Sequence, residues 1–120
     1  MKTVLAVDDS PTIRQLVGFV LGNAGYQVVL AEDGVFGLQQ LAQCRPDVIL
    51  TDVNMPRLDG FGFIEEARKT ENGRAAPILV LTTESDAEKK ARAKAAGATG
   101  WIVKPFNPNQ LIAAVKRVTF

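Results

Sequence analysis

Apolar residues follow two alternating rhythms along this chain. Runs of four to six apolar or β-branched residues alternate with segments whose apolar residues recur at helical spacing, and five such pairs can be counted. Thr3 to Val7 is nearly continuous, as in a central strand covered on both faces. Ser10-Pro11 then offers an N-cap and a first-turn proline. The stripe Ile13, Leu16, Val17, Val20 and Leu21 predicts a helix that ends at Asn23-Ala24-Gly25. Tyr26 to Ala31 reads as the second strand, and Asp33-Gly34 opens a helix carrying Leu38, Leu41 and Ala42. The third pair is Val48 to Thr51, a loop through Pro56 and Gly60, and a helix from about Phe61 to Thr70. After the polar loop Glu71 to Arg74, Pro77 to Leu81 and a helix from about Ser85 to Ala96 make the fourth. Gly100 to Val103 and Pro108 to Val118 complete the set. The fourth helix has alanine as its only apolar residue type, so it should pack thinly and present charge outward. Repeated βα units with short links imply right-handed crossovers and a doubly wound α/β fold, a parallel sheet with helices on both faces.

Composition narrows this further. At 120 residues and 47% hydrophobic content the chain matches one globular domain, residues 1–120, with no output domain expected. Such a domain buries roughly two thirds of its unfolded surface and needs no disulfide or structural metal. The single Cys44 suits a reducing compartment. No apolar run approaches the ~18 residues of a membrane span and no basic, apolar leader follows Met1, so a soluble, cytoplasmic monomer is expected. A net charge of +1 provides no field for binding nucleic acid.

The chemistry gathers where apolar runs end. Asp8-Asp9, Asp52, Thr82 and Lys104 each close one, and in a sheet of this kind ligands bind beyond the carboxyl ends of the strands. Singly, each has an ordinary reading as a turn residue, a loop carboxylate, a strand-end hydroxyl or a solvated charge. Their convergence on one edge argues for a site. Three carboxylates gathered without a cation repel, and at least one should have its pKa raised. With no His and one Cys, zinc and copper are disfavoured, whereas Mg²⁺ suits carboxylates with water completing an octahedron. Metal and ammonium together would neutralise the acids and receive a transferred phosphoryl group. Other classes fit less well. Asp8-Asp9-Ser10-Pro11 stands where a glycine-rich phosphate loop would be, and Gly60-Phe61-Gly62 lacks a third glycine. A flavodoxin-type carrier shares the layout without needing the acidic edge. A Mg²⁺-dependent aspartate-nucleophile phosphohydrolase would want a second carboxylate two residues after Asp52, where Asn54 stands.

Val7-Asp8-Asp9-Ser10, Thr51-Asp52-Val53-Asn54-Met55-Pro56 with Asp59-Gly60, Leu81-Thr82 and Lys104-Pro105-Phe106 occur in fixed order. Over essentially the whole chain this set resembles the receiver domains of two-component response regulators, and is nearest in layout to the single-domain, stand-alone chemotaxis members. The resemblance implies a flavodoxin-like (βα)5 fold with strand order 2-1-3-4-5. It implies that Asp52 is the phosphoacceptor for a phosphohistidine on a histidine kinase. Asp9, Asp52 and the backbone carbonyl of Asn54 would bind Mg²⁺ directly, and Asp8 largely through water. Lys104 would contact one phosphoryl oxygen, Thr82 would move to bond another, and Lys104-Pro105 would be cis. Such a protein promotes its own phosphorylation and dephosphorylation without being an enzyme in the usual sense.

The same resemblance implies a switch in which an aromatic residue on the fifth strand turns inward on activation. Trp101 stands there, where Tyr or Phe is usual. Thr83 departs from the usual Ala, Gly or Ser and should narrow access to the phosphoryl group. Asn54 and Glu84, by contrast, match residues that accompany rapid self-dephosphorylation in chemotaxis members. The fourth helix, with Lys89 and Lys90 beside Trp101, is the expected partner surface. A flagellar motor switch protein or another downstream protein is the expected target; the alternative is a phosphate sink or relay for a kinase.

Overall fold

The computed structural model of the chain describes residues 1–83 and 87–119. Strands β1 (Thr3–Val7), β2 (Gln27–Ala31), β3 (Val48–Asp52), β4 (Ile78–Thr82) and β5 (Gly100–Val103) alternate with helices α1 (Pro11–Asn23), α2 (Gly34–Gln43), α3 (Gly60–Arg68), α4 (Ala87–Ala96) and α5 (Pro108–Val118). The strands pair in parallel in the order β2-β1-β3-β4-β5. This is the flavodoxin-like arrangement expected from the motifs. The order reverses beside β1, so a crevice opens beyond the carboxyl ends of β1 and β3.

Successive strand residues point to opposite faces, which divides the core in two. On one side Leu5, Val7, Ile49, Ile78 and Val80 meet Leu41 of α2, Phe63 and Ile64 of α3 and Ala93 of α4. On the other Val4, Ala6, Leu50, Leu79, Leu81 and Ile102 meet Val17 and Leu21 of α1 and Leu111 and Val115 of α5. Helix starts are set by side-chain caps: Ser10 accepts from the Ile13 amide, Asp33 from Phe36 and Asp59 from Gly62, and Asn107 forms a capping box with Gln110. Among the described residues no helix is long and apolar enough to cross a membrane.

Several boundaries differ from the sequence expectation, each for a local reason. Tyr26 is not in β2, because its amide bonds the Leu21 carbonyl and so belongs to the close of α1. Helix α3 stops at Arg68 because the Lys69 and Thr70 amides turn back to Glu66 and Ala67 with the tighter three-residue spacing. Strands β3 and β4 run one residue further than expected, making Asp52 and Thr82 their last residues. Ala42 is exposed, so the buried stripe of α2 is carried by Leu41 with Leu38 partly covered.

Helix α4 starts at Ala87, and Ser85 and Asp86 lie outside the described residues. Only Ala93 of it is buried, as its composition predicts. Its far end is held instead by Arg68 of α3. That guanidinium donates from Nε and Nη2 to the Gly97 carbonyl (3.0 and 2.7 Å) and from Nη1 to the carbonyls of Gly73 (2.7 Å) and Ala76 (2.6 Å).

Candidate functional site

The site is built from strand ends because β1 and β3 are central, buried strands whose last residues cannot move without disturbing the core. Asp8 follows β1 directly and is 2% exposed. Its Oδ1 accepts the Ser10 amide (2.9 Å), its Oδ2 accepts from Lys104 Nζ (3.1 Å), and its carbonyl accepts from Arg14 Nη1 (2.7 Å). Asp52 Oδ1 accepts the Val53 amide (2.8 Å) and faces the same ammonium at 3.3 Å. Asp9 is exposed at the mouth. Carboxylate oxygens of Asp8, Asp9 and Asp52 lie within 4.8 Å of one another.

Lys104 reaches this cluster from just beyond β5. Its amide bonds the Thr82 carbonyl (2.7 Å), which ties the lysine to the end of β4, and the following peptide to Pro105 is cis, as expected. The ammonium sits between Asp8 and Asp52 and supplies their countercharge. It does not fully offset the site's cost to Asp52. Burial first, then the charge of Asp8, push the Asp52 carboxyl above its usual range, against the opposing pull of Lys104 and the Val53 amide. The acids therefore hold unneutralised charge, present only hard oxygen donors, and open to water on the Asp9 side. That donor set fits Mg²⁺.

The neighbouring switch face is also assembled. Thr82 is buried, Thr83 is exposed immediately after it, and Glu84 lies outside the described residues. Trp101 is turned outward, 43% exposed, with Lys90 Nζ 4.7 Å from the ring centroid. Val53, Val80, Thr82, Lys89, Lys90, Ala93 and Trp101 enclose a cavity of about 10 Å³.

Two features of the site carry little signal in the sequence. Gly60 lies so close to the end of β3 that a Cβ would overlap the Asp52 carbonyl oxygen, and its amide bonds the Val53 carbonyl (2.8 Å). Nothing but the adjacency of Asp59-Gly60 to a helix start could have pointed to that approach. The ion pair between Arg57 and buried Asp33 (2.7 Å) joins the loop after β3 to the start of α2. These partners are 24 residues apart and no local pattern relates them.

Residues 4–116 match the response regulator receiver domain family, and the chain belongs to that family. Among curated relatives, the phosphate regulon transcriptional regulatory protein PhoB of Escherichia coli is 37% identical over 117 residues, covering 98% of this chain and 51% of PhoB. The response regulator MprA of Mycobacterium leprae is 40% identical over 113 residues, 94% of this chain and 49% of that protein. The chain spans about half the length of the curated relatives it matches. Among solved structures, chemotaxis protein CheY4 of Vibrio cholerae superposes with a TM-score of 0.96 at 51% identity, covering 98% of both chains. The receiver domain of a sensor histidine kinase of Pseudomonas aeruginosa, solved with a magnesium ion coordinated in its active-site cleft, gives a TM-score of 0.89 at 32% identity, covering 97% of this chain and 95% of that one.

Proposed function

We propose that the chain acts as a response regulator of the chemotaxis type, taking a phosphoryl group from a histidine kinase onto Asp52 and signalling by phosphorylation-dependent protein binding in the cytoplasm. The observation that carries this is the Lys104 ammonium lodged between Asp8 and Asp52, with Asp9 open beside them. Asp9, Asp52 and the Asn54 carbonyl would hold Mg²⁺, with Asp8 acting largely through water. When bound, the ion supplies positive charge to the phosphoryl oxygens.

The chain's own groups then have defined parts. A carboxylate oxygen of Asp52 attacks phosphorus, the P–N bond of the phosphohistidine breaks, and the electron pair leaves on the imidazole. Lys104, already held by two carboxylates, is placed to follow the negative charge onto the phosphoryl oxygens. Positioning and charge neutralisation supply the rate, so no separate substrate is turned over and the protein is a phosphoacceptor rather than an enzyme. The chemotaxis assignment is supported by the likeness to CheY4 over nearly the whole of both chains. A flagellar motor switch peptide that binds more tightly after phosphorylation would fit it; kinase binding with fast turnover and no motor affinity would identify a phosphate sink.

Intact-protein mass after incubation with a small phosphodonor tests the chemistry. One Mg²⁺-dependent phosphoryl adduct is expected on the wild type and none on Asp52→Asn. An adduct that persists in the variant, or that forms equally without Mg²⁺, rejects Asp52 as the metal-assisted acceptor.

Trp101 should report the switch. A cavity of about 10 Å³ holds roughly one water, so the indole turns inward only if Thr82 withdraws and α4 gives way. Adding a beryllofluoride phosphoryl mimic with Mg²⁺ is therefore expected to shift Trp101 emission to the blue and reduce its quenching by acrylamide. Unchanged emission would separate Trp101 from the switch.

A further inference from the structure

The loop between β3 and α3 rests on the core through Val53, Met55 and Leu58, but it makes few hydrogen bonds within itself. Its backbone bonds are short-range, Leu58 to the Pro56 carbonyl and Gly60 to the Val53 carbonyl (2.8 Å each), and Asn54 and Pro56 are exposed. Yet it contains Arg57, whose φ of 68° makes it the single non-glycine residue in the left-handed region among the described residues. A bulky side chain there costs free energy and persists only where its surroundings impose the conformation.

Those surroundings are identifiable. Arg57 Nε and Nη2 both donate to Asp33 Oδ2 (3.0 and 2.7 Å), and the guanidinium lies 5.0 Å from the centroid of the Phe36 ring. Asp33 is itself fixed: it is 4% exposed, and its Oδ1 caps α2 by accepting the Phe36 amide (3.0 Å). Burial raises its pKa, but the Phe36 amide and the Arg57 guanidinium outweigh that and hold it below the usual range, so the pair is ionised at neutral pH. Helix α2 is thus the rigid end of a clamp whose other end is the loop.

We propose that Arg57 is a positioning residue, holding the loop that carries Asn54 in the form that binds the divalent cation. This rests on the Mg²⁺ reading of the Asp52 site. Charge alone predicts the reverse effect. Arg57 and Asp9 border the same basin of about 470 Å³, so removing a guanidinium there should strengthen cation binding. The clamp predicts that removing it weakens binding.

Arg57→Gly and the double variant separate the clamp from charge, because Asp33→Asn alone also removes an anion that borders the basin. Arg57→Gly deletes the side chain while placing the residue best suited to a positive φ. Asp33→Asn keeps the cap on α2 and removes the charge of the pair. Mg²⁺ affinity by titration calorimetry is expected to fall roughly tenfold in Arg57→Gly, the low end for groups that orient metal ligands. Asp33→Asn should fall in the same direction, with the double variant no weaker than Arg57→Gly, since both break one interaction. Without metal, exchange of the Leu58 and Gly60 amides should quicken in Arg57→Gly while the β1 amides keep their rates. Unchanged or tighter Mg²⁺ binding, or unchanged exchange, overturns the proposal. A wild type that binds no Mg²⁺ overturns the metal reading, and this one with it.

Discussion

Lys104→Ala is expected to destabilise the metal-free protein by about 3 kcal/mol at neutral pH, the loss seen when one partner of a buried ion pair is removed. Lys104 and its two partners are nearly covered, with side chains 13% exposed for Lys104, 3% for Asp8 and 13% for Asp52. Removing the ammonium leaves both carboxylates facing each other in a poorly solvated crevice. The sign with pH follows from Asp52. Its folded-state pKa already lies above the usual 3.8, so its contribution is fully present below 3.8 and is lost as pH rises through the raised value. Losing Lys104 removes a lowering influence and extends that penalty. Urea unfolding at about pH 7 should therefore show a larger loss than at about pH 4.5. Saturating Mg²⁺ should restore much of the difference, by binding only the folded state. The comparison must stay above 3.8, because the Asp33–Arg57 pair runs the other way: Asp33 is lowered, and its contribution is lost as pH falls through its folded pKa. A loss independent of both pH and Mg²⁺ would mean that the lysine stem matters only for packing.

Gly60→Ala is expected to cost about 2 to 3 kcal/mol and to depress phosphorylation, although alanine is the better helix former by about 1 kcal/mol. The reason is steric. A Cβ there meets the Asp52 carbonyl oxygen and lies 2.8 Å from the Val53 Cα, both backbone atoms of or next to a central strand. They cannot rotate aside as a side chain would. Relief must come from shifting the start of α3 or the end of β3, and either displaces the Asp52 carboxylate. Gly22→Ala in α1 is the control, since nothing lies within 4 Å of its added Cβ. It should gain about 0.5 to 1 kcal/mol in the same denaturation assay. Equal responses at the two glycines would show that the approach to Asp52 is not tight.

The alternation of strand and helix was legible because burial imposes it on every residue of an element. Thr3 to Val7 reads as central from composition alone, and Val4 to Val7 are buried. The acidic edge was legible for a related reason: Asp8, Asp52, Thr82 and Lys104 interrupt apolar runs, and a polar residue at the end of a buried strand has one direction in which to face. Boundaries were less legible. Tyr26 is aromatic and suits a strand as well as the residues after it, and its exclusion from β2 depends on a single amide turning back to Leu21. Ala42 fits the helical stripe by period, but small residues are tolerated on either face, so the period could not decide its exposure.

By itself, the sequence determined the order of elements, the doubly wound parallel sheet and the polar residues that close its strands, because each is written in local periodicity and in polar breaks within apolar runs. Only the tertiary structure decided which charges meet. Lys104 was expected at the acidic edge, but its place between Asp8 and Asp52 at once, the pairing of Arg57 with Asp33 across 24 positions and the reach of Arg68 to Gly97 across 29 were not. Long, flexible cationic side chains carry no periodic signal, and their partners are selected by distance, burial and the cost of leaving a carboxylate or carbonyl unpaired. Those quantities exist only once the sheet has brought its strand ends together.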